Sequence, residues 1–259
     1  DGQGVEELVE SLHQRFKQTW PVVQEKETCD IPVKALLVQF YGEPQDTEND
    51  LLDKMNYAIS VIADKGKDGV IFFDGEIQAA MEHKQYVMEE MRYAMEHRTF
   101  QMYYQPIYDC ARKEFVSAES LIRLFGRDGK FISPGEFIPM AEEYGLIDGI
   151  SWIVLEKVCE FLGANPALPL KTVSVNMTGQ QILDPIFIRR IEQNLEKYRV
   201  KGERLRIEIT ERTVTDDFAE VKKVMESLAQ KGIRFYLDDF GTGYSNLSSM
   251  LSLPKSEER

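Results

Sequence analysis

Three apolar runs recur about every 30 residues in the second half of the chain, and each ends on polar residues. They are KTVSVNMT (171–178), RLRIEITE (204–211) and IRFYLDDF (233–240). A helical pattern follows each, over 184–198, over 216–231 and from near Ser245. Strand and helix alternating at this spacing predict parallel strands joined by helical crossovers. Asn176, Glu208 and Asp238 fall near the C-terminal ends of their strands, and Glu119 does so in the earlier run EFVSAESLIRLF (114–125). A β/α barrel builds its active site at that end of its strands. An open doubly wound sheet also binds at its strand ends, but in one crevice at a switch point. Acids or amides on four strands suit a ring better than a crevice, so the expected fold is α/β, of the (β/α) barrel kind.

The segments around these units follow the same logic. TFQMYYQPIYD (99–109) and EFVSAESLIRLF read as two strands joined by the polar turn DCARKE. Helices are expected over 134–145 and 148–163, with Ser133 as N-cap and Pro134 as first helical residue. Upstream, 4–19 has helical apolar spacing through Val5, Leu8, Val9, Leu12 and Phe16. VKALLVQFYG (33–42) reads as a strand, 50–66 as a helix and GVIFFD (69–74) as a strand. That makes an α/β piece small for a fold of its own. Residues 76–97 read as one helix with Met81, Met88, Met91 and Met95 in a stripe. The stripe suits a connector packing on one or both domains; a dimer seam is the alternative, although the stripe is short for a coiled coil.

Glu119, Asn176, Glu208, Asp238 and Asp239 form the candidate site. Gathered at one barrel mouth, four carboxylates repel one another unless a divalent cation offsets them. His13, His83 and His97 all precede residue 99, and no cysteine falls in the pattern. Ligation by oxygen alone favours Mg²⁺ or Mn²⁺. Two such ions close together suit phosphoryl chemistry, activating a water and bridging a phosphate. Each residue also has a plainer role: Glu119 as a solvated strand end, Asn176 as a turn former or cap, Glu208 paired with Arg206 or Arg123, Asp238 and Asp239 as N-cap and turn acid. A single period placing all of them at one end of one sheet weighs against those roles.

The net charge of −13 excludes a general DNA or RNA polymer binder, but not a small phosphate ligand, since a metal ion inverts the local sign. Cys29, Cys110 and Cys159 are odd in number and widely spaced, as expected in a reducing cytoplasm. No run approaches the ~18 apolar residues of a membrane helix. The acidic start DGQGVEELVE carries no secretory signal, and its lack of methionine leaves room for an upstream membrane anchor.

The stretches YYQPIYD, AESLIRL, SVNMT, IEITE and DDFGTGYSNLSSM resemble, in order and spacing, the motifs of EAL domains, over about residues 99–254. Those are cyclic di-GMP phosphodiesterases with a modified β/α barrel. The resemblance implies metal ligation by Glu119, Asn176, Glu208 and Asp238, with Asp239 also at the metal centre. It implies that Glu211 supports the loop after the fifth strand and that Gln105 and Arg123 contact the dinucleotide. Catalytic roles then fall to Glu119, Asp239 and Glu211. AISVIADKGKDGVIFFD (58–74) resembles the closing helix and strand of a GGDEF domain, whose cyclase motif this chain lacks. The expected organisation is 1–75 as the C-terminal part of a degenerate GGDEF-like domain, 76–98 as a connecting helix and 99–259 as an EAL domain.

Two departures bear on activity. Ser120 stands where the family name has alanine, on the strand face opposite Glu119, and is expected to matter little. The family pattern also continues past LSSMLSLP with three more strands carrying a lysine and a further glutamate, whereas KSEER matches none of them. The expectation is a partial barrel with about five of the eight strands. It is expected to be inactive as an isolated chain, with a homodimer or partner sensory domains as companions. The alternative is a catalytically inactive module binding cyclic di-GMP or a protein partner.

Overall fold

The computed structural model describes residues 47–65, 75–210 and 218–238, helical residues at 7, 10, 11, 14 and 15, and strand residues at 20–21, 28–29, 38–39, 71–72 and 257–258. The chain divides into two compact units, Asp1–Tyr86 and Val87–Arg259.

In the first unit, β1 (Trp20–Pro21) pairs antiparallel with β2 (Thr28–Cys29). β3 (Val38–Gln39) pairs parallel with β4 (Ile71–Phe72), and α1 (Glu48–Lys65) lies between them in the chain. A parallel pair needs such a crossover. Thr47 sets the start of α1: its hydroxyl accepts the Asp50 N–H at 3.3 Å, and the Asp50 carboxylate accepts the Thr47 N–H at 2.8 Å. The Thr47 hydroxyl also donates to that carboxylate at 2.6 Å, and this bond, with the one from the Thr47 N–H, holds the Asp50 carboxyl below the usual range.

α2 (Gly75–His97) runs across the division between the units. Its buried residues are Val87, Glu90, Met91 and Ala94, at helical spacing. The buried stripe is thus rotated from the methionine stripe, of which only Met91 is buried.

The second unit carries β5 (Gln101–Asp109), β6 (Glu114–Phe125), β7 (Phe131–Ile132), α3 (Pro134–Glu143), α4 (Ile147–Ala164) and β8 (Thr172–Asn176). α5 (Gly179–Leu183), α6 (Phe187–Tyr198), β9 (Leu205–Thr210), α7 (Phe218–Ala229), β10 (Arg234–Asp238) and β11 (Glu257–Glu258) follow. Seven strands form one sheet in the order β11-β10-β9-β8-β6-β5, with β7 beside β6. β6, β8, β9, β10 and β11 run parallel; β5 and β7 are antiparallel to β6. Among the described residues, this hydrogen-bonded path ends at β5 and at β11.

The strands alternate. Ala118, Val173, Val175, Leu205, Ile207, Ile209 and Phe235 are buried, as are Leu155, Val158, Ile191, Val221 and Met225 on the helices. Each of these side chains except Ala118 contributes roughly 1.5–3 kcal/mol when fully buried. The other phase of the same strands carries Glu119, Ser174, Asn176, Arg206, Glu208 and Tyr236.

Two local expectations are corrected. The helix expected over 184–198 begins only at Phe187, and a separate short helix, Gly179–Leu183, precedes it, because Pro185 forces Asp184 out of the helical region, to φ −65 and ψ 125. A capping box starts the short helix: Thr178 Oγ accepts the Gln181 N–H at 3.3 Å, and Gln181 Oε1 accepts the Thr178 N–H at 2.8 Å. Ser133 is the N-cap of α3 and Pro134 opens it, but the serine side chain makes no capping bond. The helix start near Ser245 lies outside the described residues.

Candidate functional site

Strand register assembles the site. Gln105 lies opposite Glu119, Glu119 opposite Ser174, Ser174 opposite Arg206 and Arg206 opposite Arg234. One row further toward the strand C-termini, Asn176 lies opposite Glu208 and Glu208 opposite Tyr236. Residues directly opposite share a face, and that face repeats every second residue. Gln105, Glu119, Asn176 and Glu208 therefore face the same side. The backbone of Asp238 pairs with Thr210 in the row beyond.

Within this face, Asn176 Nδ2 donates to Glu119 Oε1 at 3.4 Å, linking β8 to β6. Glu208 is 1 % exposed, whereas Gln105 and Asn176 are exposed and Glu119 is half-buried. A carboxylate taken that far from water needs its charge offset. The donors in these two rows are carboxylate and amide oxygens, which suit a hard divalent cation. Among the described residues, no three His, Cys, Asp or Glu side chains gather closely enough to hold a metal. The remaining acids of the expected set, Asp239 and Glu211, and the side chain of Asp238 lie outside the described residues. Asn176 presents its NH₂ to Glu119, so ligating a shared cation with Glu119 requires the amide to turn its oxygen inward.

Arg123 lies four residues beyond Glu119 on β6, in the same phase, opposite Gln101. Its Nη1 donates to the Ile122 carbonyl at 2.9 Å, and the guanidinium lies over the Tyr103 ring, 5.4 Å from its centre. The fork is thereby oriented before any anion arrives. Arg206, the other cation weighed as a partner for Glu208, donates through Nη1 to the carbonyls of Glu203 and Leu205 at 3.0 and 3.1 Å.

A cavity of about 370 Å³ opens at the C-terminal ends of β6, β8 and β9, against α3 and α4. Arg123, Asn176, Thr178 and Glu208 line its polar side. Ser120 lines it too. Opposite Tyr104, it is out of phase with Glu119, as the alternation expects. Ser120 itself is buried, 4 % exposed.

Sequence reasoning also missed two carboxylates. Glu90, on the apolar stripe of α2, is 3 % exposed and accepts the Arg127 backbone N–H at 2.9 Å and the Arg127 Nε at 2.8 Å. An acid inside an apolar stripe was the available signal. Glu156 on α4 gathers Arg98, Lys197 at 2.7 Å and the Tyr198 hydroxyl at 2.9 Å. The Arg98 bond, with those of Lys197 and Tyr198, lowers the Glu156 carboxyl to about 2. Burial pushes the Cys159 thiol up to about 12, so it is unreactive at neutral pH.

A family model described as the EAL domain matches residues 88–256. The chain is 29 % identical over 254 residues to the signaling protein YkoW of Bacillus subtilis, covering 95 % of this chain and 31 % of that protein. It is 26 % identical over 253 residues to the bifunctional diguanylate cyclase/cyclic di-GMP phosphodiesterase MucR of Pseudomonas aeruginosa, covering 96 % of this chain and 36 % of that one. The chain thus spans about a third of the length of these curated relatives. Among solved structures, the PaMucR phosphodiesterase in complex with c-di-GMP superposes with a TM-score of 0.62 at 29 % identity, over 66 % of this chain and 70 % of that one. Register, donor set and a family match over most of the chain agree: this protein belongs to the EAL domain family.

Proposed function

We propose that this chain is the EAL part of a cyclic di-GMP signalling protein that hydrolyses one phosphodiester bond of the ring to give linear pGpG. In that step water oxygen bonds to phosphorus, the bond from phosphorus to a ribose 3′ oxygen breaks, and the released hydroxyl takes a proton. The observation that carries the reading is the shared face of Gln105, Glu119, Asn176 and Glu208, closed by the Asn176–Glu119 contact of 3.4 Å. Similarity to a phosphodiesterase solved with c-di-GMP supports it.

Glu119, Asn176, Glu208, Asp238 and Asp239 would hold Mg²⁺ or Mn²⁺, which when bound neutralises phosphate charge and acidifies a water. Arg123 binds a phosphate through two oxygens, Gln105 orients the dinucleotide from the neighbouring strand, and Glu211 supports the loop after β9. Residues 1–75 are assigned to a GGDEF-like fragment, 76–98 to a connecting helix and 99–259 to the EAL domain. Residues 1–259 alone are proposed to be inactive, and a homodimer or a sensory domain is the proposed companion. No helix among the described residues is long and apolar enough to cross a membrane; a cytoplasmic site is part of the proposal.

The test follows pGpG formation by the longest natural polypeptide containing these residues and by residues 1–259. Turnover by the former should require Mg²⁺ or Mn²⁺, be inhibited by Ca²⁺, and be lost in Glu119→Ala and Asp238→Ala. Full activity in excess chelator would sink the metal assignment. Tight binding of cyclic di-GMP with no turnover under any metal would assign the non-catalytic role instead.

A further inference from the structure

Arg123 shares a face with Glu119 and Glu208, yet among the described residues it makes no ion pair. Its guanidinium meets two groups there, the Ile122 carbonyl at 2.9 Å and the Tyr103 ring at 5.4 Å from its centre. Tyr103 belongs to the same face. It lies opposite Leu121, between Gln101, which is opposite Arg123, and Gln105, which is opposite Glu119. It is 50 % exposed. An arginine on a flexible stem beside carboxylates is drawn to them unless something else holds it. The ring attracts the guanidinium through its quadrupole without supplying an oxygen acceptor, so the donors not bonded to Ile122 remain for an anion.

We infer that Tyr103 is a positioning residue, whose ring holds the Arg123 guanidinium off the acids of its own face and ready for a phosphate of the cyclic dinucleotide. The inference rests on the proposed ligand and on the proposed role of Arg123, and adds what keeps that arginine in place. The carbonyl bond fixes one end of the guanidinium and the ring supports its carbon, so two contacts of different kinds restrain one long side chain. Ordering that side chain before the anion arrives removes part of the entropy that binding would otherwise cost. Tyr103 acts through Arg123, so its effect vanishes when Arg123 is absent. The ring does the holding and the hydroxyl takes no part. Phenylalanine therefore serves as well, and leucine, apolar but without a ring, does not.

The experiment titrates the longest natural polypeptide containing these residues with cyclic di-GMP by calorimetry, with Ca²⁺ as the metal to suppress turnover. Tyr103→Leu should weaken binding about 2- to 5-fold, as the loss of a partly exposed cation–π contact. Tyr103→Phe should match wild type. Arg123→Ala should weaken binding about tenfold or more, and Tyr103→Leu added to Arg123→Ala should change nothing further. A Tyr103→Leu loss under about twofold overturns the inference. So does a comparable loss with and without Arg123, which a general loosening of β5 or a direct contact between ring and ligand would give. Tyr103→Phe as weak as Tyr103→Leu assigns the effect to the hydroxyl and overturns it too. In each of these cases the proposed ligand stands. Arg123→Ala binding like wild type overturns the proposed role of Arg123, and a wild-type chain that binds no cyclic di-GMP overturns the proposed ligand; the inference falls with either.

Discussion

Removing the Glu90 carboxylate should detach the turn after β6 from α2. Gly126 and Lys130 close that turn at 2.9 Å, and Arg127 within it gives Glu90 its backbone N–H at 2.9 Å, its Nε at 2.8 Å and its Nη2 at 2.8 Å. The guanidinium is 54 % exposed and lies over Tyr93 at 5.2 Å, so on release it rehydrates and its ion pair adds little. The backbone bond counts for more: an N–H left unmet costs about 1–3 kcal/mol. The one methylene lost, Glu90 Cγ, on the buried stripe with Val87, Met91 and Ala94, adds about 1 kcal/mol. Glu90→Ala should therefore destabilise the second unit by about 3 kcal/mol, lowering its melting temperature by roughly 6–12 °C. Glu90→Gln, which keeps one acceptor, should cost about half as much. Glu89→Ala is the control, because Glu89 is 70 % exposed and 3.7 Å from the same arginine. Urea unfolding can be followed through Trp152, one of two tryptophans, in a Trp20→Phe background. Glu90→Ala within about 1 kcal/mol of wild type, or Glu89→Ala equally costly, would refute the account.

Glu156 should make stability pH-dependent. Its folded carboxyl is lowered to about 2 from an ordinary 4.5, so its contribution is complete above about 4.5 and is lost as pH falls toward 2. Glu156→Gln should flatten the melting temperature across that window, and an unchanged slope would show that other carboxyls set it. Gly163→Ala should cost about 1–3 kcal/mol, since a Cβ there would meet the Tyr198 carbonyl oxygen where α4 crosses the end of α6. Gly135→Ala, whose Cβ would meet only Ser133 Oγ at 3.7 Å, should be neutral or stabilising in the same melts.

The order of strands and helices in the second unit was readable because it rests on local periods, 2 for strands and 3.6 for helices. The placing of Asn176 and Glu208 was readable for the same reason: parallel strands entered after equivalent helices bring their C-terminal ends level. The later start of α6 was written in Asp184–Pro185, since the residue before a proline is pushed out of the helical region, and α5 was too short to show a helical period. By itself, then, the sequence determined the α/β alternation, the polar face and an oxygen-only donor set. Only the tertiary structure decided which acids are buried and which hydroxyl is left unbonded. Glu90 is dry because a turn 37 residues away covers it. Glu156 is lowered by Arg98, 58 residues away. Ser120 is buried without a hydrogen bond because of what packs around β6, not because of its own sequence neighbours. Burial and pairing are properties of neighbours in space, and no local period specifies which distant segment arrives.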